Sequence, residues 1–266
     1  MPEFSTSGMP PGQGSPDSYQ ERPTPPAPRP QAASIRVPRV PPTVTYSLLV
    51  ATVLVYLAQR ASLYLFGFDL PAELGMKENA AIAAGEFWRL ITPMFLHGSI
   101  LHIGFNMYAL HIFGPGLERH FSSARFMALY LLSGFAGNVA SLAFSTAPSL
   151  GSSTAIFGLL AAQGVFLYRN REIFGGSARR ALNNIVMIAG INLVIGLSPG
   201  IDNWGHLGGL VGGTLFSWLA GPILDLQGLF PDLNVVDRRE PSQVILAGLL
   251  VLAVFGMIAV GVLFLR

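Results

Sequence analysis

Seven apolar stretches dominate the chain, at roughly 44–66, 100–117, 125–146, 153–168, 181–198, 204–223 and 243–265. A helix crosses a bilayer with about 20 apolar residues, within a range of about 17–25. The first and last stretches meet that length outright. The fourth and fifth are short, and the fifth carries Asn183, Asn184 and Asn192. Such spans are expected where helices line a wet cavity instead of facing lipid. Residues 67–98 hold Leu70, Phe87, Trp88 and Phe95, but Asp69, Glu73, Lys77, Glu78, Glu86 and Arg89 interrupt them. That stretch reads as an interfacial loop. The expected fold class is all-α: a polytopic membrane protein with a six-helix core over 43–223, a cytoplasmic linker at 224–241 and a seventh transmembrane helix at 242–266.

Composition agrees with a bilayer setting. Charged residues make up only 11% of the chain and apolar ones 51%, where a soluble chain carries about 25% charged residues. With no cysteine, disulfides, thiolate catalysis and cysteine metal sites are excluded. A net charge of +2, spread over loops, gives no footprint for nucleic acid. Residues 1–42 hold twelve prolines. They bury too little apolar surface to offset ordering entropy, so they read as a disordered tail, with docking through the Pro-rich run as the second reading. The tail lacks the layout of a cleavable signal peptide.

Basic residues then set an orientation. Arg22, Arg29, Arg36 and Arg39 precede the first stretch, and Arg119 and Arg125 follow the second. Arg169, Arg171, Arg179 and Arg180 follow the fourth, and Arg238 and Arg239 follow the sixth. These alternate loops hold twelve of the sixteen basic residues, and the positive-inside rule places them in the cytoplasm. The N-terminus is expected inside and the C-terminus outside.

In that topology the second, fourth and sixth helices start on the outer side. Ser153 opens the fourth, His206 the sixth, and His102 and Asn106 lie in the first two turns of the second. All four polar groups share one depth, and polar groups inside a membrane are functional candidates. A hydroxyl beside an imidazole suggests a nucleophile and its base. His102 and Asn106, four residues apart, share a helix face. With the Ser153 N–H they can hold an oxyanion, aided by the positive helix ends; alone, the pair reads as interhelical glue. Gly205, Gly209 and Gly213 recur every four residues, as do Gly208 and Gly212, while Gly158, Ala161 and Ala162 lie on the fourth helix. Small-residue faces of this kind allow backbones to touch.

Five patches resemble, in order, those of the rhomboid intramembrane serine proteases. They are Trp88-Arg89, the segment His97 to Met107 with His97, His102 and Asn106, Glu118-Arg119, Gly151-Ser152-Ser153-Thr154-Ala155-Ile156-Phe157-Gly158, and Asp202-Asn203-Trp204-Gly205-His206-Leu207-Gly208-Gly209. The resemblance covers about residues 43–223. It implies a rhomboid-like core and a Ser–His dyad with Ser153 as nucleophile and His206 as base and later acid. It also implies oxyanion donors at His102, Asn106 and the Ser153 amide, with Phe157 packed on the histidine and Gly151 opening the nucleophile segment. The implied substrates are transmembrane proteins, cut near the outer end of a span; no metal or organic cofactor is implied.

One departure is Thr154, where the family usually has Gly. A β-branched residue there is expected to stiffen the turn and narrow the substrate pocket. Ser152 is a rival hydroxyl, and Asp202, four residues before His206, is a candidate third member of a triad. His97, His102 and His111 are not spaced for a shared metal face. Two other classes stay open: an inactive rhomboid-like protein that binds transmembrane segments without cutting them, and a transporter using the intramembrane His and Asn. With no transit peptide recognised, the expected location is a bacterial plasma membrane.

Overall fold

The computed structural model describes residues 34–36, 40–229 and 232–265. Most of the proline-rich tail, 1–33 and 37–39, lies outside the described residues, and with it most of the expected disorder. Seven long helices correspond to the seven apolar stretches. They are α1 (Thr43–Phe66), α4 (Ile100–Phe121), α5 (Ser123–Phe144), α6 (Ser153–Arg169), α8 (Gly176–Ile195), α9 (Asn203–Ala220) and α10 (Pro241–Leu265). Short helices α2 (Leu70–Gly75) and α3 (Asn79–Ala83) lie in the long loop after α1, and α7 (Arg171–Phe174) follows α6.

Three of these helices, α1, α5 and α10, are long and apolar enough to cross a membrane on their own. The others are shorter or more polar. This is the character of an all-α membrane protein whose inner helices face protein. Along α10 the buried residues are Ala247, Val251, Phe255 and Ala259, one stripe at four-residue spacing that packs on α5 and α9. Beyond Gln243, the rest of its surface is apolar and at least partly exposed, as suits a lipid-facing helix.

The centre of the bundle is the α5–α6–α9 contact, and glycines set its distances. Gly209 lies on the Thr154 carbonyl, and a Cβ on Gly213 would lie 2.5 Å from Gly158 Cα. This is the α6–α9 approach that the four-residue glycine repeat predicts. The other repeat, Gly208 and Gly212, faces α5, against Ala140 and Ala136. Helix α9 is therefore glycine-lined on two sides and closely flanked on both.

Helix α1 is capped from another helix. Its N-cap position, Pro42, supplies no side-chain bond. Glu118 of α4 supplies it, accepting from the N–H groups of Val44 (2.9 Å) and Thr45 (2.8 Å), the Thr45 hydroxyl (2.7 Å) and the Ser123 hydroxyl (2.7 Å). A carboxylate among the free N–H groups of a helix start is favourable.

The segment expected as a linker is a β-hairpin, β2 (Leu224–Leu229) with β3 (Asp232–Asp237), antiparallel. Ser34–Arg36, expected in the disordered tail, forms β1 and pairs in parallel with β3. Residues such as Leu224-Asp225-Leu226-Gln227 alternate apolar and polar, a two-residue period that a hydropathy reading for spans passes over.

Candidate active site

Helix α6 begins at Ser153, and its approach is fixed before any side chain is considered. Gly151 has φ +132, in the region that favours glycine. A Cβ there would lie 2.7 Å from the His102 ring and 3.7 Å from Ser153 Oγ. The His102 ring thus rests against the Gly151 backbone beside the Ser153 hydroxyl. The Gly151 N–H donates to the Pro93 carbonyl at 2.8 Å, which ties this turn to the first loop.

Ser153 Oγ and His206 Nε2 are 2.9 Å apart, within the reach that nucleophile activation requires. The Phe157 ring stacks on His206 at 4.2 Å between centroids and 17° between planes. Phe157 is one turn on from Ser153, so a single helix carries both the hydroxyl and the support for its partner. Ser153 is partly exposed, whereas His206 is 7% exposed.

The neighbouring hydroxyl has its own histidine. Ser152 Oγ lies 3.2 Å from His97 Nε2, and the Ser152 N–H donates to the same nitrogen at 3.4 Å. Ser152 and His97 are both 0% exposed. Burial, and then the neighbouring His102, push the His97 pKa down to about 3, so its imidazole stays neutral. The His97 and His102 rings meet edge-on at 4.9 Å.

Other expected residues fall in different places. The Asn106 amide donates to the His102 carbonyl at 2.9 Å, so one of its hydrogens is committed to its own helix. Asp202 accepts from the Gly205 N–H at 3.0 Å and caps α9. The His206 N–H donates to the Asp202 carbonyl at 3.2 Å, but among the described residues no hydrogen bond joins the Asp202 carboxylate to the His206 ring, and the carboxylate of the triad alternative caps the helix. Arg89 pairs with Glu86 at 2.7 Å and donates to the Met76 carbonyl. Thr154, expected to narrow the substrate pocket, is 5% exposed. Its side chain fills the space beside two glycines: Cβs on Gly137 and Gly205 would lie 2.6 Å and 3.0 Å from it.

Sequence reasoning passed over Lys77. It is 0% exposed. Its ammonium donates to the carbonyls of Ser145 and Ala147, each at 3.0 Å. Its backbone exchanges hydrogen bonds with Ser149 at 2.9 and 3.0 Å. Asn79 adds a bond to the Ser145 carbonyl at 2.9 Å. Together they fasten the α5–α6 connection, which leads to Gly151 and Ser153, onto the first loop. The available signal was Lys77, one of the charged residues that interrupt the first loop.

Comparison with known proteins gives this constellation a lineage. A family model described as the Rhomboid domain matches residues 84–223. The rhomboid protease GluP of Bacillus subtilis is 38% identical over 211 residues, which is 79% of this chain and 39% of the relative. RHOMBOID-like protein 6, mitochondrial, of Arabidopsis thaliana is 42% identical over 139 residues, 52% of this chain and 45% of the relative. RHOMBOID-like protein 9, chloroplastic, of the same plant is 34% identical over 159 residues, 59% of this chain and 37% of the relative. The chain thus spans less than half the length of each of these curated relatives. The family match spans the loop that holds His97, the helix that holds His102, the Ser153 turn and the His206 helix, and the chain belongs to the rhomboid family of integral membrane proteins.

Proposed function

We propose that the protein is an intramembrane serine protease that hydrolyses peptide bonds in or beside the transmembrane segments of other membrane proteins. The observation that carries this reading is the 2.9 Å contact between Ser153 Oγ and His206 Nε2, made at the partly exposed start of a helix. The name of the relative GluP, a rhomboid protease, supports the same reading.

In this mechanism His206 Nε2 accepts the Ser153 proton as Oγ attacks the scissile carbonyl. Its stacking on Phe157 holds the ring in plane for that transfer. The carbonyl oxygen becomes an oxyanion beside the Ser153 N–H at the start of α6, where the helix dipole is positive. The His102 ring, lodged on Gly151, and the second amide hydrogen of Asn106 are the further donors. His206 then gives its proton to the leaving amine. A water, deprotonated by the same imidazole, releases the acyl group from Ser153. This chemistry uses neither metal nor organic cofactor.

The unit that performs it is the six-helix core, 43–223, with α10 as an accessory helix on α5 and α9. The arginine-bearing ends face the cytoplasm of a bacterial plasma membrane, with the N-terminus inside, the C-terminus outside and the Ser153 end outward. The competing reading is a rhomboid-like protein that binds transmembrane segments without cutting them. The test is incubation of the purified protein with a generic single-span substrate, beside Ser153→Ala and His206→Ala. Cleavage by the parent alone supports the protease. A folded parent that binds substrates but cuts none leaves the binding protein.

A further inference from the structure

At the end of the bundle away from Ser153, basic side chains from three elements converge. Arg169, in the last turn of α6, donates to the Trp218 carbonyl at 3.2 Å. Arg239, after β3, donates to the same carbonyl at 3.2 Å and to the Gly221 carbonyl at 3.4 Å. Arginines suit a helix C-terminus, yet two guanidiniums on one carbonyl oxygen place like charges side by side. A guanidinium has five donors, and these bonds occupy only part of each. Burial, and then the charge of Arg169, lower the Arg239 pKa.

The nearby carboxylate is already used. Asp237 pairs with Arg125 at 2.7 Å and accepts from the N–H groups of Ile223 and Arg239. Among the described residues, Arg169, Arg171 and Arg239 have no carboxylate within ion-pair distance. The cluster is flanked by a ladder of rings. Arg171 lies over Tyr168 at 4.9 Å, Tyr168 stacks on Trp218 at 6.1 Å, and Arg169 lies over Trp218 at 5.0 Å. Both aromatic residues are 46% exposed. Exposed Trp and Tyr at the ends of membrane helices mark the headgroup level, and basic pockets at that level hold anionic headgroups.

We propose that Arg169 and Arg239, framed by Tyr168, Trp218 and Arg171, form a binding site for the phosphate headgroup of an anionic phospholipid. The phosphate sits between the two guanidiniums, whose remaining N–H groups donate to its oxygens. The acyl chains run from Tyr168 along the exposed face of α9, past Trp218, Thr214 and Val211. The aromatic pair favours a lipid over a free phosphate, which has no use for it. This site is independent of the proteolytic reading.

The test is a titration of the full chain in detergent with dioctanoyl phosphatidylglycerol, counting bound lipid by native mass spectrometry. Saturable binding is expected, with dioctanoyl phosphatidylcholine at least about tenfold weaker. The double variant Arg169→Gln/Arg239→Gln is expected to lose roughly 30-fold in affinity, from about 1 kcal/mol per arginine. Arg179→Gln/Arg180→Gln removes equal charge from exposed positions on α8 and is expected to change affinity by less than about threefold. Should the glutamine pair fail to fold, Arg169→Lys/Arg239→Lys keeps both charges but not the planar fork, and is expected to lose about tenfold. Parent-like binding by the folded glutamine or lysine variant of Arg169 and Arg239 overturns the site, as does equal binding of the two lipids. Displacement of phosphatidylglycerol by millimolar inorganic phosphate assigns the site to free phosphate and overturns the lipid.

Discussion

Two serine–histidine pairs stand side by side at the head of α6, and they differ in access. Ser153 meets His206 at 2.9 Å and is partly exposed. Ser152 meets His97 at 3.2 Å, and both are 0% exposed. A hydroxyl sealed in protein cannot reach a scissile carbonyl, however well placed its base. The inner pair also holds the backbone, because the Ser152 N–H donates to His97. One pair is therefore within a substrate's reach, as the proposed protease requires, and the other is sealed in the protein; adjacent residues differ in access because the first turn of a helix turns each side chain to a different face.

The sharpest way to break this contrast is substitution of each pair. Ser153→Ala and His206→Ala are each expected to lower cleavage of a single-span substrate by at least about 1,000-fold. Ser152→Ala is expected to lower it by less than about tenfold, since the backbone bond to His97 survives. Equal losses at the two serines in folded proteins would erase the distinction. A fluorophosphonate probe should label the parent and Ser152→Ala, and leave Ser153→Ala unlabelled.

Gly151 joins the two pairs, so its substitution sharpens the geometry. Gly151→Ala adds a Cβ 2.7 Å from the His102 ring at φ +132. Displacing the reacting groups by about an ångström is expected to cost about 100-fold in kcat. The check is steady-state kinetics beside a thermal melt.

Lys77 tests the placing side from a distance. In Lys77→Met the carbonyls of Ser145 and Ala147 lose their buried donor. Ser145 keeps its Asn79 donor, and the loss of hydrogen bonds from a charged donor costs roughly 1.5–3 kcal/mol, which is expected as a lower Tm. If the clamp also positions Ser153, kcat falls while KM holds. Unchanged stability would remove the clamp from this account.

A further test concerns pH. The folded His97 pKa lies near 3, below its ordinary 6.5. Below 6.5 the unfolded chain therefore takes up a proton that the folded chain refuses, so this contribution to stability is full above 6.5 and declines as pH falls toward 3. The Tm is expected to drop between pH 7 and pH 4, and His97→Gln is expected to flatten that slope. A slope unchanged in His97→Gln would assign the acid sensitivity elsewhere.

Thr154 shows how a local reading misdirects. At its place after Ser153, a β-branched residue reads as an obstruction to the pocket. Its side chain instead occupies the room left by Gly137 on α5 and Gly205 on α9, two positions far away in sequence. Gly208 and Gly212 make the same point, since their repeat is visible in sequence but the partner that they approach, α5, is not. The strand pair Leu224–Leu229 and Asp232–Asp237 escaped because its alternation is short and half polar, a weak signal beside seven apolar spans.

What the sequence by itself determined was set by solvation and spacing. Long apolar runs must cross a bilayer as helices, and the order of the patches around Trp88, His102, Ser153 and His206 marks the rhomboid family. What only the tertiary structure decided was which polar atoms meet. The Ser153–His206 contact, the sealing of Ser152 on His97, the capping of α1 by Glu118 and the Lys77 clamp join residues far apart in the chain. Such pairings depend on helix rotation and on backbone approach within an ångström, which glycine packing between α5, α6 and α9 fixes and which no single segment encodes.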